Sequence, residues 1–458
     1  MTEFSRRELL ATGAAVGVAG MADGAVPPPA RLPNIVFILA DDLGYADLGC
    51  YGRREYKTPA IDGLAAQGVR LIQGYANSAV CSATRTALIT GRYQYRLPIG
   101  LEEPLGKSEL ALPPGIPTLP SQFRKLGYRT ALLGKWHLGT GAQDGPTFHG
   151  YDHFFGFPNG GADYFRHRLD LTGKSPTDGL YDDTKKIERN GYLTDLLGDE
   201  AVRWMAIDKR PFMLSLHFNA PHWPWEGRDD EAVSRALKDV QHHDGGSLET
   251  FGKMVGAMDD NVAKVLAALK RLGLEQDTII VFTSDNGGER YSDVWPFTGL
   301  KGELLEGGLR VPLIVRWPGR IAAGSTSPQV MTTMDFLPTL LAAAGGAPDP
   351  TAPSDGENLL PILTGQAPVR PRKLYWRYKN HEQRALRDGD WKYLLINKHE
   401  HLFNVALDPR ERAERKDAEP ALFARLKADY EKWNATMLPY PASSGSHGVD
   451  SADRYWVD

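Results

Sequence analysis

Apolar runs that stop abruptly at polar groups recur along this chain. "NIVFILADDLG" (34–44) places six apolar residues ahead of Asp41 and Asp42, and "TIIVFTSDNGG" (278–288) repeats the design, ending in Asp285 and Asn286. "FMLSLHFNAPHWPW" runs into His222, and "YRTALLGKWHLG" runs into Lys135 and His137. Between them, "FGKMVGAMDDNVAKVLAALKRLG" carries Met254, Met258, Val262, Val265 and Leu269 at three- and four-residue steps, with Gly273 as a stop. Buried strands alternating with amphipathic helices predict an α/β domain, a mostly parallel sheet covered by helices on both faces. Ligands bind such sheets beyond the carboxyl ends of the strands, where these polar groups lie.

From about residue 346 to 372 the chain turns rich in proline, glycine and charge, as a linker or domain edge does. Beyond it, "KLYWRYKN", "QRALRDGDWKYLLI" and "EHLFNV" read as short strands, and "ALFARLKADYEKWNAT" as a closing helix. The expected organisation is a catalytic domain over 29–365 and a smaller C-terminal α+β subdomain over 366–458, with an antiparallel sheet and a helix. Residues 1–28 read as a twin-arginine export signal: Arg6 and Arg7 precede an alanine- and glycine-rich stretch, with cleavage expected near Ala22 to Ala25. Export machinery is the partner this implies, and a periplasmic or secreted location is the expectation. No later stretch is apolar for long enough to span a membrane.

A formal net charge of -4 and the lack of a long basic run argue against nucleic-acid binding. The two cysteines, Cys50 and Cys81, are too few for a disulfide framework, although a single bridge between them stays open at this level.

Asp41, Asp42, Asp285 and Asn286 offer oxygen ligands and no thiolate, a set that suits Ca²⁺ or Mg²⁺ better than zinc. Each pair alone is an ordinary turn sequence. Adjacent strand residues face opposite ways, so Asp41 and Asp42 share an ion only if the strand has ended, with Gly44 as the expected bend. Lys135 and His137 face one way while Trp136 points into the core, which suits an anionic group. His222 and Lys301 add cationic or proton-donating groups. In "VCSATRTALITGR", a helix starting at Cys81 puts Arg85 one turn on and places Cys81 at the positive end of the helix.

"CSATR" resembles the sulfatase signature Cys-x-Pro/Ala-x-Arg, whose cysteine is oxidised to formylglycine. "NIVFILADDLGYADLGCYG", "GKWHLG", "GYDHFFGF", "NAPH", "TSDNGG" and "LEGGLRVPLIVRWPG" resemble further sulfatase blocks, in family order. This resemblance to type I, arylsulfatase-like sulfatases implies an alkaline-phosphatase-like fold, one Ca²⁺ per site and a formylglycine-generating enzyme as maturation partner. It implies Asp41, Asp42, Asp285 and Asn286 as metal ligands, with the formylglycine hydrate at Cys81 completing the shell. It implies Arg85 and Lys135 as steadying the hydrate and the ion. Lys135, His222 and Lys301 would hold sulfate and assist the leaving oxygen, and His137 would contact the hydrate and help collapse the intermediate. The expected substrate is a carbohydrate or aryl sulfate ester.

One block departs from the family. Where some arylsulfatases place a serine after "FFGF", this chain has Gly160, leaving Asn159 or Asp163 to substitute, or no contact. Trp223, Trp225 and Trp295 are candidates to stack on a sugar or aryl ring. Cys50 reads as a structural thiol, because pairing would compete with conversion of Cys81. Two rival functions stay open: a phosphonate or phosphodiester hydrolase of the same superfamily, and a silent binding protein in which Cys81 remains a thiol.

Overall fold

The computed structural model describes residues 31–106, 109–240 and 245–447, so the export-signal reading at 1–28 lies outside the described residues. At its centre, the strands Thr278–Ser284, Asn34–Ala40, Phe212–His217, Arg129–Lys135 and His153–Phe157 lie side by side and parallel. The first four are buried at every position, which is why they read as nearly unbroken apolar runs. Further strands widen the sheet to ten, Leu313–Arg316 joining antiparallel on one side and Leu180–Asp182 antiparallel on the other.

Pairing register sets where the polar groups emerge. Ala40 lies opposite Ser284, and both Leu39 and Gly134 lie opposite His217. The chain therefore leaves four neighbouring strands at one edge, delivering Asp41, Asp285, Lys135 and the loop to His222 together. Alternation along Asn34–Ala40 sends Val36 and Ile38 to one core and Ile35, Phe37 and Leu39 to the other. The first core is closed by the helices Leu193–Met205 and Leu248–Arg271, the latter through the five residues its periodicity predicted. Ser247 caps that helix by accepting from the Thr250 N–H, and Gly273 ends it at φ 69°. The second core receives Leu88 and Ile89 from the helix Cys81–Thr90.

The C-terminal strands Lys373–Tyr378, Gln383–Asp388, Trp391–Ile396 and His399–Asn404 form a separate antiparallel sheet in sequence order. The helix Pro420–Asn434 covers one face through Leu426 and Tyr430. The other face, including Leu374, Trp376 and Ala385, packs on Tyr75, Ala79, Val80 and Ala83 around the start of the Cys81 helix. The stretch read as a linker is anchored, because Leu359, Leu360 and Leu363 enter the core of the main sheet. No described helix is long and apolar enough to cross a membrane.

An ionic joint ties the two sheets. Lys392 Nζ lies 3.0 Å from Glu306 Oε1 and 2.8 Å from Glu411 Oε1, and all three side chains are fully buried. Removing the ammonium leaves two carboxyls without it in a dry interior. Lys392→Ala should therefore cost about 3–5 kcal/mol, measured by denaturant unfolding.

Candidate active site

The strand Asn34–Ala40 has ended where the acidic pair begins. The bend is at Asp42 itself, which takes φ 63°, and not at Gly44 as the sequence suggested. Gly44 is needed for closeness: a Cβ there would lie 2.2 Å from Ser292 Oγ and 2.6 Å from the Asp293 carbonyl. The turned loop locks onto the 284–286 loop. Asp42 N–H donates to Asp285 Oδ1 at 3.3 Å, Leu43 N–H to Ser284 Oγ at 3.0 Å, and Asn286 Nδ2 to Asp42 Oδ1 at 2.7 Å. Asp47 fastens it to the following segment by accepting from Gly44 N–H and Asp293 N–H, both at 2.8 Å.

Three cations face these three carboxylates. Lys135 Nζ is 2.6 Å from Asp41 Oδ2, and Lys301 Nζ is 2.6 Å from Asp42 Oδ2. Arg85 donates twice to Asp285 Oδ2, at 3.0 and 2.8 Å, and a third time to the Lys135 carbonyl at 3.0 Å. His222 Nε2 stands 3.7 Å from Asp42 Oδ2. Cys81 opens its helix with its Sγ and one oxygen each of Asp41 and Asp285 within 4.8 Å of one another.

The donor set fits a hard cation. Asp41 Oδ1 and Asn286 Oδ1 are enclosed and lack a hydrogen-bond partner among the described residues. Asn286 uses its amide nitrogen on Asp42 and on the Gly287 carbonyl, which leaves the oxygen to a ligand. Two carboxylate-rich loops with an amide oxygen suit Ca²⁺ or Mg²⁺. A separate cluster, His153 with Asp182 and Asp183, is an ion-pair knot, with one imidazole nitrogen on Asp183 at 2.9 Å and the other on Glu200 at 3.0 Å.

Burial and neighbouring charge divide the proton affinities. Burial, followed by the charge of Asp41, pushes the Asp285 carboxyl up to about 6. For Asp42, burial pulls upward but is outweighed by Lys301, His222 and Lys135, so its carboxyl stays below the usual range. Burial brings His222 down to about 3, Asp42 opposing and Lys301 adding, and burial with Lys135 takes His137 well below its ordinary value. Burial also raises the Cys81 thiol against the pull of Lys135 and Lys301. A thiol held protonated is a poor nucleophile.

Above this floor opens a cavity of about 1150 Å³, lined by Cys81, His137, His222, Lys301, Trp223 and Trp225 among others. Trp295 does not line it: that ring is 62% exposed, with Arg410 over its face. Asp163 is likewise withdrawn, its oxygens taken by Phe165 N–H, Arg166 N–H and Ser234. Asn159 does line the cavity but donates to Asp178 at 2.5 Å. Gly160 is required by its neighbour, since a Cβ would lie 2.7 Å from His137 Cε1 and Nε2. The two cysteines are unpaired.

Three residues escaped the sequence reading. His217, at the end of its strand, stands with Nδ1 3.4 Å from Arg85 Nη1, and Asp47 braces both loops. Glu289 lines the cavity and is pushed up to about 7 by burial, against the charge of Lys301. Its place four residues after Asp285 was the available signal.

Added Ca²⁺ should stabilise the protein by about 2.7 kcal/mol at a hundredfold excess over Kd. Asn286→Ala should shrink that gain in calorimetric melting curves. A second outcome concerns Glu226, under the Trp225 wall, which burial and then Asp163 push from 4.5 up to about 9. The folded state holds that proton where the unfolded chain has lost it, so this contribution is complete below 4.5 and is lost as pH rises towards 9. Glu226→Gln should therefore gain stability relative to the parent between pH 5 and pH 9, read from melting temperature against pH.

The sulfatase profile matches residues 33–347, and the profile for the C-terminal region of N-sulphoglucosamine sulphohydrolase matches 301–430. The chain is 32% identical to steryl-sulfatase of Mus musculus, over 83% of this chain and 73% of that protein. It is 33% identical to N-acetylgalactosamine-6-sulfatase of Rattus norvegicus, over 81% and 72%. Among solved structures, Ps i-CgsB superposes with a TM-score of 0.82 at 30% identity, covering 92% of this chain and 96% of that one. With the alkaline-phosphatase-like sheet and the charged pocket at its strand ends, the chain belongs to the sulfatase family and is a sulfuric ester hydrolase.

Proposed function

We propose that this pocket hydrolyses a carbohydrate sulfate ester through a formylglycine made from Cys81, beside one Ca²⁺ held by Asp41, Asp42, Asp285 and Asn286. The observation that carries the reading is Cys81 itself: a thiol that burial keeps protonated sits at a helix start within reach of Asp41 and Asp285. As a thiol it has no use for this setting. As a hydrated aldehyde it offers one hydroxyl to attack sulfur and a second whose deprotonation expels sulfate when the aldehyde re-forms. Bound Ca²⁺ would supply charge stabilisation to the sulfuryl oxygens and lower the pKa of the attacking hydroxyl.

The chain's own groups supply the rest. Lys135 and Lys301 offset the negative charge that a sulfate ester brings into the pocket. Arg85 fixes Asp285 through two hydrogen bonds, so that this carboxylate can take the proton of the attacking hydroxyl. His222 gives its Nδ1–H to the Trp223 carbonyl at 2.7 Å, which leaves Nε2 for the leaving oxygen. Nε2 carries no proton while His222 is neutral, so it takes one from solvent as the anionic ester enters and gives it to the departing alcohol. His137 gives its Nε2–H to the Leu105 carbonyl at 2.8 Å, and its enclosed Nδ1 has no partner among the described residues. That lone pair receives a proton as the aldehyde re-forms.

Carbohydrate is favoured over aryl sulfate by two supports. Ps i-CgsB has been solved with k-i-k-neocarrahexaose, and a curated relative is named for an N-acetylgalactosamine sulfate. Trp223 and Trp225 line the cavity wall, where an aromatic side chain can pack on a sugar ring. Maturation by a formylglycine-generating enzyme and export to the periplasm or medium complete the proposal.

The deciding assay presents one aryl leaving group as sulfate, phosphodiester and phosphonate. Sulfate should turn over fastest, and Cys81→Ala should lose at least about 10⁴-fold in kcat. A diester cleaved far faster than the sulfate would make this a phosphodiesterase.

A further inference from the structure

His447, the last described residue, lines the same cavity as Cys81. The segment that carries it is stitched to Glu103, which is fully buried. Glu103 N–H donates to the Gly445 carbonyl at 3.0 Å, and His447 N–H donates back to the Glu103 carbonyl at 2.7 Å. The Glu103 carboxyl oxygens accept from the Tyr440 hydroxyl at 2.5 Å, Ser446 Oγ at 3.1 Å and Lys379 N–H at 2.8 Å. The Tyr378 hydroxyl closes the joint by donating to the His447 carbonyl at 2.5 Å.

This joint lies beside the chemistry. Two residues on from Glu103, at most about 7 Å along the chain, Leu105 N–H donates to Ser82 Oγ at 2.7 Å and the Leu105 carbonyl receives His137 Nε2 at 2.8 Å. One short segment therefore ties His447 to the residue after Cys81 and to His137. Both backbone groups of His447 are spent on the joint, yet the residue is exposed, and its imidazole has no hydrogen-bond or ion-pair partner among the described residues. An imidazole in its neutral form carries one donor and one acceptor. Sugar hydroxyls answer both, whereas a simple aryl sulfate has nothing polar beyond its ester. Trp223 and Trp225 line the same cavity and add surface on which a sugar can pack.

We propose that His447 is a specificity-determining residue: its imidazole hydrogen-bonds sugar hydroxyls of the substrate beyond the ester. The C-terminal segment then reads the alcohol from which sulfate is removed, and an aryl ester gains nothing from it. Glu103 and Tyr378 act through His447, as the groups that hold it in place. This inference rests on the sulfatase reading and adds a residue that selects sugar sulfates over aryl sulfates.

The test uses the mature full-length enzyme on 4-nitrophenyl sulfate and on the monosulfated methyl glycosides of galactose and N-acetylgalactosamine. The quantity read is the ratio of kcat/KM on the best sugar sulfate to kcat/KM on the aryl sulfate. His447→Ala should lower that ratio by about fivefold to tenfold, the worth of a hydrogen bond lost from one substrate only. His447→Gln, which keeps a donor and an acceptor, should retain part of it. The joint uses only the backbone of His447, so both variants should melt with the parent, and thermal melting checks that the ratio is read on folded protein. An unchanged ratio in folded His447→Ala overturns the role of His447, as does a parent that cleaves 4-nitrophenyl sulfate and none of the sugar sulfates. A folded parent with converted Cys81 that cleaves no sulfate ester overturns the sulfatase reading instead.

Discussion

Buried charge must be balanced, and the strand-end geometry of this protein satisfies that demand at one point. Asp41, Asp42 and Asp285 are fully buried carboxylates, and an uncompensated charge in such a place costs several kcal/mol. Lys135, Lys301 and Arg85 compensate them one to one. None of the six is close to the others in sequence except Asp41 and Asp42: the parallel register of three strands gathers Asp41, Asp42, Asp285 and Lys135, while the Cys81 helix brings Arg85 and a loop brings Lys301. A sulfate ester brings a further negative charge into this network, which the proposed divalent cation would offset.

The rest of the fold is arranged to hold that network still. Lys301 is carried by a loop tied on three sides: its own N–H reaches the Gly288 carbonyl, Gly302 N–H reaches the Ala79 carbonyl just before Cys81, and Gln383 from the C-terminal sheet donates to the Gly302 carbonyl. Trp376 of that same sheet donates from its indole to the Ala76 carbonyl at 2.9 Å. The smaller sheet is therefore part of the active site's frame. Its contacts fix the segment that presents Cys81 and the loop that presents Lys301.

The central strands and the long helix were legible because burial on two faces, or on one stripe, writes a strong periodic signal. The residues Asp41, Asp42, Lys135, His222, Asp285 and Asn286 were legible because each ends or follows such a signal. What sequence could not supply was direction and occupancy. Asp42 bends the chain where Gly44 was expected, since a positive φ at aspartate depends on the loop that receives it. Trp295 and Asp163 looked as available as Trp225 and Asn159, and only tertiary contacts withdraw them. Glu289 was hidden by its neighbours, because a charged residue in a glycine-rich loop is ordinarily solvated.

The central claim is that this charge-balanced pocket exists to hold and use an aldehyde at position 81. Peptide mass spectrometry across residues 80–92 of turnover-competent protein tests it most directly. The account predicts the formylglycine peptide, trapped as a hydrazone by a carbonyl reagent, in proportion to active enzyme. Fully active protein that yields only the free thiol at Cys81 would contradict it.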